Sequence, residues 1–235
     1  MDYKEYKAGQ KANFWFRAKN EMIDILLSKS IPGGSRTKIL DLGAGTGDDL
    51  RILNKYGRVY VADVSKDALR LIKKEDCFKK TDADACNLPY KDNFFDTVVS
   101  FDVLEHIKND QKAVSEICRV LKKDGKFIFT VPAFNLLFSS HDKALYHYRR
   151  YNKKMIRALS KGFRDLRLGY WNFLLFPFVA AARIKNRNAK PKIDALNLPK
   201  LQDDLFYVLL KLENKLVKYD VKMPFGLTIF GYCTK

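Results

Sequence analysis

The stretch "KILDLGAGTGDDLRIL", Lys38 to Leu53, changes its pattern twice within sixteen residues. It opens as a short apolar run and passes through a loop with glycine at every second position. The loop then opens a helix, the two together read over "GAGTGDDLRILNKYG" (43–57). Strand, glycine loop, helix is the start of a repeating unit, and the chain downstream repeats it. "RVYVADV" (58–64) reads as a second strand and "SKDALRLIKKE" (65–75) as a second helix, with Ser65 as its N-cap. "FDTVVSFDVL" (95–104) is a further strand, and "DQKAVSEICRVLKKDG" (110–125) an amphipathic helix closed by Gly125. "KFIFTVP" (126–132) is the strand after it. Strands alternating with helices imply an α/β chain whose sheet is mostly parallel and wound on both faces.

With 235 residues, 47% of them hydrophobic and 13% aromatic, the chain can bury one sizeable core. A single domain over 1–235 is expected, without repeats or low-complexity tracts. Cys77, Cys86, Cys118 and Cys233 lie far apart with no C-x-x-C pair, which speaks against both a zinc knuckle and a disulfide framework. A reducing, cytoplasmic setting follows. "MDYKEYKAGQKANFWF" has no apolar core ahead of a cleavage site and is not read as a secretory signal. A net charge of +17 favours polyanions: nucleic acid, an anionic membrane surface or phosphorylated small molecules. Charge alone does not choose among them.

Open parallel sheets bind ligands outside the carboxyl ends of their strands. Those ends carry Asp41 through Gly47, Asp63, and Phe101 through His106. Gly43, Gly45 and Gly47 let the backbone turn tightly and approach a ligand closely. Asp63 closes the next strand, where a carboxylate can accept two ribose hydroxyls. The spacing is G-x-G-x-G and not the dinucleotide G-x-G-x-x-G, and the third glycine's place is taken by Asp48. Asp48 and Asp49 would repel a pyrophosphate at the helix N-terminus. Asp41, Asp48 and Asp49 instead suit a cationic ligand without phosphate, such as a sulfonium compound with an α-amino group.

At this point "KILDLGAGTGDDLRIL" resembles the first motif of the class I S-adenosylmethionine-dependent methyltransferases, of the kind grouped as methyltransferase type 11. "TDADACNLPYKDNFFDTVVSFDVLEHI" (81–107) is similar to their adenine-binding and fourth-strand region. The resemblance implies a Rossmann-like seven-stranded sheet, mostly parallel with an antiparallel last strand, for which "FGLTIFGYCTK" (225–235) is the candidate. It implies S-adenosyl-L-methionine as cofactor. Gly43, Gly45 and Gly47 would border its methionine part and Asp63 would hold its ribose, with Asp41, Ala44 and Val64 as further cofactor-binding candidates. Asp84 and Ala85 would face the adenine, and Ser100 and Phe101 the amino acid end. "NFWFRAKN" (13–20), "HYRRY" (147–151) and "PFG" (224–226) resemble a narrower, poorly characterised subgroup and leave the substrate open.

"HDKALYHYRRY" (141–151) concentrates two of the three histidines with two arginines and three tyrosines. It follows the fifth strand, so it lies on the acceptor side of the crevice. Arg149 and Arg150 offer planar forks for an anion, with Tyr148 and Tyr151 as walls. Trp15 and Arg17 extend that acceptor site from an N-terminal helical lid (about 1–30). An oxygen nucleophile needs a base, and His106, His141 and His147 are the candidates. His141 and His147 lack an evident third ligand, so no metal is expected.

The segment 172–222 is expected as a helical insertion between the last two strands. Phe173 to Ala182 is too short to span a bilayer. It reads as a strand running into a buried helix, or as an interfacial element with Arg183, Lys185, Arg187, Lys190 and Lys192 facing headgroups on the inner face of a membrane. "KLQDDLFYVLLKLENKLVK" (200–218) aligns Leu201, Leu205, Leu209, Leu212 and Leu216 on one face. The expectation is a methyltransferase acting on a small or lipid-linked anionic acceptor. An RNA methyltransferase and a nicotinamide-dependent oxidoreductase are the alternatives.

Overall fold

The computed structural model describes residues 13–31, 36–192 and 198–235. The first twelve residues of the expected lid and residues 193–197 of the insertion lie outside it. Seven strands form one sheet: β1 (Lys38–Leu42), β2 (Arg58–Asp63), β3 (Lys79–Asp82), β4 (Phe95–Phe101), β5 (Leu121–Pro132), β6 (Arg164–Trp171) and β7 (Thr228–Thr234). Their order is β3-β2-β1-β4-β5-β7-β6. β1, β2, β3, β4 and β5 pair in parallel, and β7 runs antiparallel between β5 and β6. The single antiparallel strand is the last one, as expected.

The side-chain period of two sorts the strand residues onto two faces. Leu40, Leu42, Tyr60, Val98 and Phe129 point to one face, packed under α4 (Asp110–Val120) and α6 (Lys153–Leu159). Ile39, Val59, Val61, Val99 and Ile128 point to the other, packed under α1 (Phe14–Ser30), the short α2 (Leu50–Leu53) and α8 (Lys200–Lys218). Asn13 caps α1 by accepting a hydrogen bond from the Trp15 N–H at 2.8 Å. Ala18, Met22, Ile23 and Leu27 of α1 are buried completely. Within the described residues this helix is therefore a core layer rather than a hinged lid.

Three element boundaries differ from expectation. α4 ends at Val120, and "LKKDG" already belongs to β5, with Asp124 rather than Gly125 at positive φ. α3 (Lys66–Arg70) stops five residues short of Glu75, although Ser65 does cap it. α2 forms only Leu50–Leu53, because Gly43, Gly45 and Gly47 keep the preceding loop in left-handed backbone.

The insertion departs furthest. α7 (Phe176–Lys185) buries only Ala180 and leaves Phe178 75% exposed, so it is not a buried helix. α8 spans the expected residues but faces the other way round. Asp203, Leu210, Glu213, Asn214 and Val217 are buried, while Leu201, Leu205, Leu212 and Leu216 face solvent; Leu209 is half-buried. Polar anchors turn it: Asp203 accepts from the Phe14 N–H, Asn214 Nδ2 donates to the Ala18 carbonyl, and Glu213 accepts from the Phe173 and Leu174 N–H groups. Buried polar bonds of this kind outweigh an apolar stripe that has no facing surface.

Candidate active site

The loop after β1 and the ends of β2 and β4 form one cradle. Gly43, Gly45 and Gly47 have φ of +75°, +50° and +80°. A Cβ at Gly43 would lie 2.4 Å from Val103, whereas at Gly45 nothing stands within 4 Å. Gly45 therefore faces open space, where a ligand can approach the backbone. Asp63 Oδ2 accepts from the Gly45 N–H at 2.8 Å, and Oδ1 from the Ser65 N–H at 2.8 Å. Asp63 thus ties the loop to β2 and keeps lone pairs for a ligand. Val64, next to it, is 69% exposed, and Ala44 is half-buried above the loop.

Asp41 is buried at the end of β1, and its Oδ2 has no hydrogen-bond partner. Burial first, and then Asp49 and Asp63, push its carboxyl well above the usual range. Burial, offset by Lys19 and reinforced by Asp48, pushes Asp49 up to about 6. Lys19, which no sequence motif marks, pairs with Asp102 at 2.7 Å and stands over the Trp15 ring. Burial alone would raise the Asp102 carboxyl, but Lys19 and the Thr130 hydroxyl hold it below the ordinary range. Ser100 is buried at the end of β4 with a partnerless Oγ, beside Phe101. Asp84 is exposed and caps its own turn by accepting from the Cys86 N–H, while Ala85 is buried.

A cationic ligand fits here. An orphaned buried carboxylate oxygen, a glycine loop open at Gly45 and a surplus of acids are what a sulfonium and an ammonium group would offset. A pyrophosphate would add charge of the wrong sign.

The segment 141–151 is built differently from expectation. Asp142 is wholly buried. It accepts from His147 Nδ1 at 2.9 Å, Arg150 Nε at 2.8 Å and the Ser139 N–H at 2.9 Å, and Arg183 stands at 3.4 Å. Burial opposes ionisation, yet these donors hold its carboxyl far below the usual range. Arg150 is buried and also donates to the Ala133 carbonyl. Arg149 pairs with Asp110 and donates to the Lys108 carbonyl. The Tyr151 hydroxyl reaches the Leu104 carbonyl and Asp110. Arg17 pairs with Asp203 and Asp204 over the Tyr207 ring. The expected anion forks thus bind the protein's own acids; of that group Tyr148 remains exposed and Trp15 half-buried.

His106 and His147 are brought together, their ring centroids 4.6 Å apart at 85°. His141 sits on the short helix α5 (Ser140–Ala144), outside that pair. Glu105, which no sequence motif marks, is buried with a partnerless Oε2; burial and then Asp102 raise its carboxyl well above the usual range. Open cavities among the described residues include two of note. One of about 290 Å³ is lined by Asn135, Phe138, Lys143, Tyr148 and Arg187, on the side of the strand carboxyl ends. The other, of about 350 Å³ between Arg36, Asp96 and Lys122, lies at their amino ends, away from the cradle.

A doubly wound sheet with an antiparallel last strand and an acid-lined glycine cradle defines the class I methyltransferase type of α/β protein. Residues 40–129 match the family model described as a methyltransferase domain. An uncharacterized protein of Methanocaldococcus jannaschii is 37% identical over 106 residues, 45% of each chain. A ubiquinone/menaquinone biosynthesis C-methyltransferase of Francisella tularensis is 27% identical over 142 residues, 54% of this chain and 57% of that one. The chain spans about half the length of the curated relatives it matches. Phosphoethanolamine N-methyltransferase 2 of Haemonchus contortus, solved with phosphomonomethylethanolamine and S-adenosylhomocysteine, shares the fold. Its TM-score is 0.61 at 21% identity, over 92% of this chain and 52% of that one. Residues 40–129 thus carry the match to a methyltransferase domain, and the sheet around them has the fold of these solved methyltransferases.

Proposed function

We propose that this chain transfers a methyl group from S-adenosylmethionine to a small acceptor bearing an anionic group. The observation that carries the reading is the cradle, where the partnerless Asp41 oxygen lies beside Asp49 and Asp63 beneath a glycine loop open at Gly45. Bound there, the cofactor supplies an electrophilic methyl group on a sulfonium centre. Asp63 accepts the ribose hydroxyls, Val64 walls the adenine, and Asp41 and Asp49 offset the positive charge. Holding an acceptor in line with the methyl group is worth on the order of 7–11 kcal/mol.

The anionic end of the acceptor belongs to the cavity beside Lys143, Tyr148 and Arg187, since Arg149 and Arg150 are engaged elsewhere. The solved relative that holds phosphomonomethylethanolamine supports a phosphate-bearing acceptor. Incubating the protein with labelled S-adenosylmethionine and a metabolite extract should label a small anionic product. Lys143→Ala with Arg187→Ala should abolish that labelling and leave cofactor affinity unchanged. Absence of cofactor binding by calorimetry would sink the reading.

One further observation bears on where the protein works. Leu201, Leu205, Val208, Leu212 and Leu216 form an exposed stripe on α8, with Lys211, Lys215 and Lys218 alongside. An apolar stripe edged with lysines matches an anionic bilayer surface. The docking element then lies on α8 more than on 171–192. Among the described residues no helix is long and apolar enough to cross a membrane.

A further inference from the structure

The 3₁₀ turn Leu104–His106 after β4 and the segment 141–151 meet at one point. The Tyr148 N–H donates to the Glu105 carbonyl at 2.8 Å, which pins His147 beside that turn. One donor atom each of Glu105, His106 and His147 lies within 4.8 Å of the other two. Glu105 is 1% exposed, and its Oε2 has no partner. A buried carboxylate oxygen left unpaired is costly, and native proteins rarely keep one without a use for it. His147 Nδ1 bonds to Asp142, itself gripped by Arg150, Arg183 and Ser139. With Nδ1–H donating to that carboxylate, the ring is fixed in orientation and the lone pair sits on Nε2.

We infer that Glu105, His106 and His147 form a binding site for one divalent transition-metal ion of the zinc class. Two imidazoles and one carboxylate select zinc, cobalt, nickel or ferrous iron over magnesium or calcium, which favour all-oxygen sites. Bonds of about 2.0–2.2 Å at tetrahedral angles place two ligand atoms about 3.3–3.6 Å apart. The three donor atoms, all within 4.8 Å of one another, therefore close by at most about 1.5 Å when the ion binds. The Asp142–His147 bond is the outer support that metal-ligating histidines ordinarily have. In the sequence the site is invisible because Glu105 and His106 belong to a different strand end from His147. The pair that stands out there, His141 with His147, is not the pair the fold brings together.

Three protein ligands leave a position for water or for an oxygen of the acceptor. That last role rests on the methyltransferase reading; the metal site itself does not. With the ion bound, His147 is a ligand and not a base.

The test is titration of Zn²⁺, and separately Co²⁺, into the chelator-treated full chain, by calorimetry and by the visible band of bound cobalt. Cofactor affinity is measured on the same samples. One ion per chain is expected, weakened about tenfold or more by His106→Ala and by Glu105→Gln. His106 is exposed, so its variant keeps the fold, which a thermal melt verifies. Asp142→Asn should weaken the ion by about 10–100-fold without touching a ligand atom. No saturable binding, or equal binding by His106→Ala and Glu105→Gln, overturns the site. Metal binding without cofactor binding keeps the site and counts against the methyltransferase reading alone.

Discussion

Asp63 holds the Gly45 and Ser65 N–H groups with one oxygen each, so its place in the cradle is set before any ligand arrives. Asp63→Ala removes charge-assisted hydrogen bonds worth about 1.5–3 kcal/mol apiece to a ribose, and frees the loop as well. Calorimetry should show cofactor affinity reduced by about two orders of magnitude or more; unchanged affinity would remove Asp63 from the site. The neighbouring acids give a pH dependence whose sign is fixed. Burial raises Asp41 and takes Asp49 to about 6, so below that pH protons compete with a cationic ligand. Affinity should rise as pH increases through about 6, with proton release on binding. The ligand-free protein behaves oppositely. An acid raised on folding contributes stability below its unfolded value, and that stability is lost as pH rises through the folded value. Cofactor should therefore raise the melting temperature more at pH 8 than at pH 5. A flat profile would show that neither acid meets the cofactor. The glycines and Asp63 are legible because backbone conformation and strand ends leave fixed spacings in a sequence. Lys19 and Glu105 are not, since each acquires its meaning only from residues brought to it by the fold.

At the scale of elements, the core strands are legible from their apolar runs, while β3 carries no such signal. "KKTD" has no apolar alternation, because β3 is an edge strand that lysines keep soluble. The end of α4 differs from expectation because "LKKDG" carries helix-ending chemistry but pairs with β4 instead, through the contact of Leu121 with Phe95. α8 shows the limit of periodicity most clearly. The leucine stripe does mark one face, but periodicity cannot say which face is buried. Asp203, Glu213 and Asn214 decide that through bonds to groups distant in sequence. Leu210→Ala, in the buried face, should cost about 2–5 kcal/mol in chemical denaturation. Leu212→Ser, in the exposed face, should stay within about 0.5 kcal/mol of the parent. If Leu212→Ser were the more damaging, α8 would have to pack through its leucine stripe after all. Segment 141–151 shares this dependence on polar anchors. Asp142→Asn leaves Arg150 buried beside a neutral partner and should cost about 3–5 kcal/mol.

For the whole molecule the question is what a charge of +17 serves. That figure is the surplus left after the acids are counted, and Arg17, Lys19, Arg119, Arg149, Arg150 and Arg183 face acids. Such pairs stabilise the fold and attract nothing from outside. The lysines of α8 stand next to exposed leucines, an arrangement that adds a screened electrostatic attraction to an unscreened apolar one. Each lysine near an anionic surface contributes about 1 kcal/mol, and each inserted leucine adds more as its apolar area leaves water. The two contributions separate by experiment. The protein should sediment with vesicles containing phosphatidylserine at low salt and be largely released when salt is raised. Leu205→Ser with Leu212→Ser should weaken binding at every salt concentration, whereas Lys211→Gln with Lys215→Gln should weaken it at low salt only. Alternatively, if the stripe covers a second copy of the chain, the leucine variants would change the sedimentation coefficient in free solution and leave vesicle binding intact. Binding to neutral and anionic vesicles alike would remove the lysines from the account and leave the leucines alone as the anchor.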